Sequence, residues 1–98
     1  GRPCGGEELR ALEHAIDNEG FSANKLTVVE QAAATRLFRV EQVKTILSHL
    51  SFSADKLRGL ELLAPRLVDG RDSFAIYEAF SFSADKQRAR EIMRRNGY

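Results

Sequence analysis

From Leu57 onward the apolar residues fall at Leu57, Leu60, Ala64 and Leu67, at intervals of three and four that place one stripe on an α-helix. Leu26, Val29 and Ala33 repeat that spacing nearer the start of the chain. Three further stripes run through Leu9, Leu12 and Ile16, through Val43, Ile46, Leu47 and Leu50, and through Phe74, Tyr77 and Phe80. No apolar–polar alternation is sustained between hairpin turns, so strands are not expected. The pattern predicts helices over 7–18, 22–35, 40–50, 53–68, 72–80 and 83–96. Asn18, Glu19 and Gly20 supply the first turn, with Gly20 as a left-handed residue closing the first helix. Asp69 and Gly70 punctuate the fourth. Pro65 removes a helical hydrogen bond and disfavours helical geometry at Ala64, which predicts a kink or an early stop there.

The chain repeats itself. FSANK at Phe21–Lys25, SFSADK at Ser51–Lys56 and FSFSADK at Phe80–Lys86 place Phe21, Phe52 and Phe82 at spacings of 31 and 30 residues, within the range of stacked supersecondary units. The second and third copies align beyond the motif, RLFRVEQVKTILSHLSFSADK with RLVDGRDSFAIYEAFSFSADK. Their apolar columns include Leu37 with Leu67, Phe38 with Val68, Ile46 with Ile76, and Leu50 with Phe80. The fold class expected is all-α: six helices in three stacked antiparallel pairs, a short solenoid-like repeat of about thirty residues.

Within the motif each residue type has a reading in helix geometry. Ser22, Ser53 and Ser83 are expected as N-caps, with Asp55 and Asp85 in the first turn where a carboxylate suits the helix dipole. Phe21, Phe52 and Phe82 precede those caps, and Phe21 over Leu26 and Phe52 over Leu57 would form hydrophobic staples. The third copy has Gln87 at the stapling position, which weakens its staple. The alternative is a recurrent binding role, with Lys25, Lys56 and Lys86 as a ladder along one edge; the architectural role is preferred because capping accounts for Ser, Asp and Phe together.

Composition narrows the class without pointing to chemistry. With 98 residues, 43% apolar, 30% charged and a formal charge of +1, the chain suits one globular domain and gives no global attraction for a polyanion. No apolar run is long enough to cross a bilayer, and no secretory leader is read at the start. Residues 1–6, GRPCGG, read as a flexible linker ahead of a domain over 7–98, and Cys4, the single cysteine, as an inert linker thiol.

Candidate catalytic groups are sparse. His14 and His49 have no metal-spaced partner and read as ordinary surface or boundary residues. No glycine-rich phosphate loop follows a strand. No catalytic, metal or cofactor-binding residue is assigned, and no enzyme is expected. The one local charge feature is C-terminal: Lys86, Arg88, Arg90, Arg94 and Arg95 against Asp85 and Glu91, a net of +3. A solvated helix face explains it; docking of an acidic protein comes next. Nucleic-acid binding ranks below both, because no aromatics interleave with those arginines and most aromatics are expected in the core.

Gln42 and Val43 near the start of one helix, SFSADK, the apolar Leu57–Leu63, the Pro and Asp of LAPRLVDG and the second FSFSADK together resemble an uncharacterised bacterial all-helical domain family with repeated FSFSxDK motifs. The pattern is also similar to the N-terminal domain of a vertebrate proline- and serine-rich protein. The resemblance covers about residues 7–96. It departs in the first copy, where Gly20 stands for Ser and Asn24 for Asp. It implies an all-helical domain without assigned enzymatic activity; bacterial members often follow a signal sequence, which points outside the cytoplasm, and the vertebrate member is thought of as an adaptor. The function expected is therefore a non-enzymatic protein-interaction module appended to a larger protein, monomeric, with Lys25, Lys56, Lys86, Arg88, Arg90, Arg94, Arg95 and Tyr98 as candidate contacts. The alternative is polyanion binding through the last helix.

Overall fold

The structure, a computed structural model, describes residues 1–98. Six helices make up most of it: α1 Gly6–Asp17, α2 Ser22–Thr35, α3 Val40–Leu47, α4 Ser53–Leu63, α5 Phe74–Tyr77 and α6 Ser83–Arg95. The short strands β1, Arg2–Pro3, and β2, Arg36–Leu37, complete it. Helix α4 lies centrally, packed against α2, α3 and α6, while α3 also meets α1 and α5. The residues of the predicted stripes that close this core include Ile16, Val29, Val43, Ile46, Leu47 and Leu60, and Leu63 and Ile76 join them from outside those stripes, all fully buried. Gly59 lets α4 come close to α3: a Cβ there would sit 3.0 Å from side-chain atoms of Leu47 and of Leu50.

Pro65 stops α4 as expected. The α-helix ends at Leu63, a single 3-10 turn spans Ala64–Arg66, and Leu67 is already extended. Helix α5 is shorter than predicted, four residues within 72–80, followed by tight turns in which Ala79 and Phe80 donate to Ile76 and Tyr77. Phe74 was expected in the core and is instead 72% exposed, since the buried face of α5 is made by Ala75 and Ile76. The left-handed glycine also lies elsewhere. Gly97 is the one residue with positive φ, +88°; Tyr98 N–H donates to Met93 O and Gly97 N–H to Arg94 O, the pair of hydrogen bonds that closes α6. Gly20 has no such geometry.

The segments before α1, α3 and α5 carry the structure's few extended contacts, which the pattern did not predict. β1 and β2 run parallel, Arg2 opposite Arg36 and Pro3 opposite Leu37. Cys4 N–H continues the ladder to Leu37 O at 2.8 Å, and Phe38 bridges the next segment through Phe38 N–H to Arg66 O and Val68 N–H to Phe38 O, both 2.9 Å. RPC, RLF and RLV thus lie side by side. Residues 1–6, expected as a flexible linker, are instead built in: the Cys4 side chain is buried, and its carbonyl accepts from the Gln42 side chain at 2.8 Å. Two-residue strands escape any reading by period two, because alternation needs at least four residues to register.

Candidate interaction surface

The repeated motif occupies the starts of α2, α4 and α6, one residue out of the predicted phase. Phe21, Phe52 and Phe82 have extended backbones, and their carbonyls accept from the amides of Lys25, Lys56 and Lys86 at 3.0 Å. The phenylalanines are therefore the N-caps. Ser22, Ser53 and Ser83 are the first helical residues, and none of the three helices has a side-chain cap hydrogen bond. The expected serine caps are absent for that reason, and so are the staples. A staple joins the residue before the cap to the fourth helical residue; in this phase those are Gly20, Ser51 or Ser81 and a lysine. Phe21, Phe52 and Phe82 are left 74%, 65% and 68% exposed.

Ser53→Ala follows as a direct check. A lost cap would cost about 1 kcal/mol, whereas a first-turn serine without a cap bond should change the urea unfolding free energy by less than about 0.5 kcal/mol. A full 1 kcal/mol loss would return the cap to Ser53.

Two of the motif lysines serve the C-terminal ends of neighbouring helices. Lys25 Nζ donates to Ile16 O and Lys56 Nζ to Ala79 O, each at 2.9 Å, so cations meet the negative ends of α1 and of the α5 segment. Lys86 is half-buried beside Glu78. These contacts bring the three motifs to one end of the molecule. His49, just past α3, reaches Asp17 and Glu13 of α1 at 2.7 and 2.8 Å, and Lys44 of α3 pairs with Glu78 just past α5 at 2.9 Å. The C-terminal ends of α1, α3 and α5 thereby lie together, and the turn after each carries an exposed phenylalanine. Sequence reasoning missed this trio by placing most aromatics in the core: four of the six phenylalanines, Phe74 included, are exposed.

The C-terminal arginines do not converge. Arg88 bonds Asp85, in the first turn of α6, at 3.0 Å, Arg90 lies 5.0 Å from the centre of the Tyr77 ring, and Arg94 and Arg95 are exposed. Asp85 is buried under Arg88, whereas Asp55 is half-buried. Tyr98 folds back, its hydroxyl donating to Leu67 O at 3.3 Å and its ring covering Gly70 so closely that any side chain there would collide with it.

At the opposite end, Glu8 gathers the first segment. Its carboxylate accepts from Gly5 N–H, Arg36 and Arg2 at 3.1, 2.6 and 3.2 Å; the Gly5 amide first, and Arg36 next, hold its pKa below the ordinary value. A shallow groove of about 240 Å³ lies beside it between α1 and α2, lined by Cys4, Leu12, Ala32 and Phe38 among others. Burial, then Glu8, push the Cys4 thiol up against the opposing Arg36 and Arg39, which disfavours the reactive thiolate. No group of three His, Cys, Asp or Glu side chains is placed to hold a metal ion, and no helix is long and apolar enough to cross a membrane.

Six helices around one core, with only a two-residue strand pair besides, define an all-helical domain. The chain belongs to the DUF4476 family, a domain of unknown function, whose model matches residues 3–93. That span begins at Pro3, inside the segment that pairs with β2, and agrees with the resemblance to an uncharacterised domain family. No curated protein and no solved structure matches the chain.

Proposed function

We propose that this domain is a non-enzymatic protein-interaction module whose three helix pairs form a short solenoid-like stack with its binding edge at the FS motifs. The observation that carries the proposal is the recurrence of one exposed phenylalanine at the same position of three successive units. Large apolar side chains held in water at repeated positions mark interaction sites more often than single ones do. Contacts of α4 with α2 and α6, and of α3 with α1 and α5, support the stack. Neighbouring packed helices lie about 8–10 Å apart, so the rings offer an apolar step of that order. A polyproline-II segment rises about 3.1 Å per residue and returns to one face every third residue, at roughly 9 Å, so the partner proposed is an extended segment with apolar side chains at that interval.

The arginine face of α6 is secondary in this reading, because Arg88 and Arg90 are engaged within the domain. The test compares the wild-type domain with Phe21, Phe52 and Phe82 all changed to Ser, and with Arg90 and Arg94 changed to Glu. Proteins retained by the wild type should be lost from the first variant and kept by the second, with unfolding free energies of the phenylalanine variant within about 0.5 kcal/mol per site. The reverse loss, together with DNA or RNA binding that falls steeply with salt, would replace the proposal by polyanion binding through α6.

A further inference from the structure

We infer that His49 is a proton-dependent clasp that fixes the end of α1, and with it the Phe21 turn, against the second unit; its bearing on binding rests on the FS edge proposed above. Glu13 and Asp17 are four residues apart and so share one face of α1. His49 lies between them from the turn after α3, with Nε2 2.8 Å from Glu13 Oε1 and Nδ1 2.7 Å from Asp17 Oδ1. Both ring nitrogens thus face acceptors.

Only the imidazolium satisfies that arrangement. A neutral ring has one N–H and one lone pair, so one carboxylate would then face a lone pair, and Glu13 and Asp17 would lose the cation between them. The charged groups acting on His49 are these two carboxylates; the cations that α2 and α4 bring to this end, Lys25 and Lys56, are engaged on the carbonyls of Ile16 and Ala79. Burial lowers the histidine pKa, and the bonds to Asp17 and Glu13 outweigh it, leaving the folded value above the ordinary one. The sign follows. A raised folded pKa gives a stabilisation complete below the unfolded value, about 6.5, and lost as pH rises through the folded value.

What is lost is local. Asp17 ends α1, and Phe21 follows across a turn held by Asn18 N–H to His14 O and Glu19 N–H to Ile16 O. Release of one carboxylate frees that turn relative to Phe52, so the edge is set while His49 is protonated and loosens as pH rises through its folded pKa.

Proton NMR of the His49 ring in the intact domain tests this. The titration midpoint should lie above that of the same histidine in the urea-unfolded chain, and Glu13→Gln with Asp17→Asn should move it down. In urea unfolding, the wild-type midpoint should fall from pH 6 to pH 9, and His49→Gln should abolish most of that fall. Amide exchange at Asn18–Phe21, corrected for intrinsic rate, should rise over the same range in the wild type. An His49 midpoint unmoved by removal of both carboxylates, or an unchanged pH dependence in His49→Gln, would overturn the clasp. Failure of the phenylalanine variant to lose partners would instead remove the binding edge and leave these titrations as they stand.

Discussion

Phe38→Ala should be among the most damaging single changes in this domain, lowering the unfolding free energy by about 3–5 kcal/mol. Phe38 is 1% exposed, and its backbone is fixed by bonds to Arg66 O and from Val68 N–H. The neighbouring residue Leu37 receives the Cys4 amide. Backbone held from two sides cannot close over a lost ring, so the cavity term adds to the transfer term. The groove lined by Cys4, Leu12, Ala32 and Phe38 would deepen into the core. Because a domain of this size has about 5–15 kcal/mol in all, the change removes a large share of its stability. Phe74→Ala is the matched control: the same atoms leave a site 72% exposed, and the change expected is within about 0.5 kcal/mol. Urea unfolding of both proteins, with unchanged slopes, measures the contrast. Equal losses would mean that the three pre-helix segments do not anchor the core.

That contrast also marks what the sequence could and could not tell. The stripe Leu57, Leu60 gave α4, and Pro65 gave an early stop or kink inside the predicted 53–68, because period and breaker chemistry are local; the helix ends at Leu63. The repeat spacing found the three equivalent helix starts. The phase of those starts was not legible. Serine caps and phenylalanine caps differ by one residue, and Ser before a helical stripe is the commoner choice; only the backbone shows Phe21, Phe52 and Phe82 in the cap position, and the one-residue shift turns all three rings from staples into exposed groups. Phe74 was misplaced for a related reason, since α5 is a single turn and too short for a stripe to be read from Phe74, Tyr77 and Phe80.

The clasp at His49 was invisible for a different reason. Its partners lie 36 and 32 residues away, and nothing local distinguishes His49 from His14. Charge pairs of that kind depend on how α1 lies against α3. The same holds for the N-terminal segment: GRPCGG has the composition of a linker, and only the pairing of Arg2 with Arg36 and Pro3 with Leu37 shows that it repeats the RLF and RLV segments. The proposed binding edge was half legible, because the motif was found and a recurrent binding role was weighed with lysines as its residues. Lys25 and Lys56 are bound to helix-end carbonyls, Lys86 is half-buried, and the phenylalanines beside them are what solvent meets.

Gln42→Met is the second change of large expected effect, about 1–3 kcal/mol, and it separates hydrogen bonding from packing at the seam between the first and second units. Gln42 is 5% exposed. Its Nε2 donates to Cys4 O at 2.8 Å while its Oε1 accepts from Arg39 N–H at 2.9 Å. Methionine fills nearly the same length without either bond. Arg39 is exposed, so water can replace the acceptor for its amide; the Cys4 carbonyl lies under a buried residue and loses its side-chain donor outright. Most of the cost therefore belongs to the first segment, and amide exchange at Cys4, whose N–H bonds Leu37 O, should quicken more than exchange in α4. Gln42→Glu sharpens the test through its sign. A carboxylate keeps the Arg39 N–H on one oxygen but turns the other, buried and without a proton to donate, on the Cys4 carbonyl, and burial with that repulsion raises its folded pKa; the variant should therefore be less stable than Gln42→Met at neutral pH and recover toward it as acid restores an O–H. Wild-type stability in Gln42→Met, with Cys4 exchange unchanged, would mean that strand pairing alone holds residues 2–4 in place.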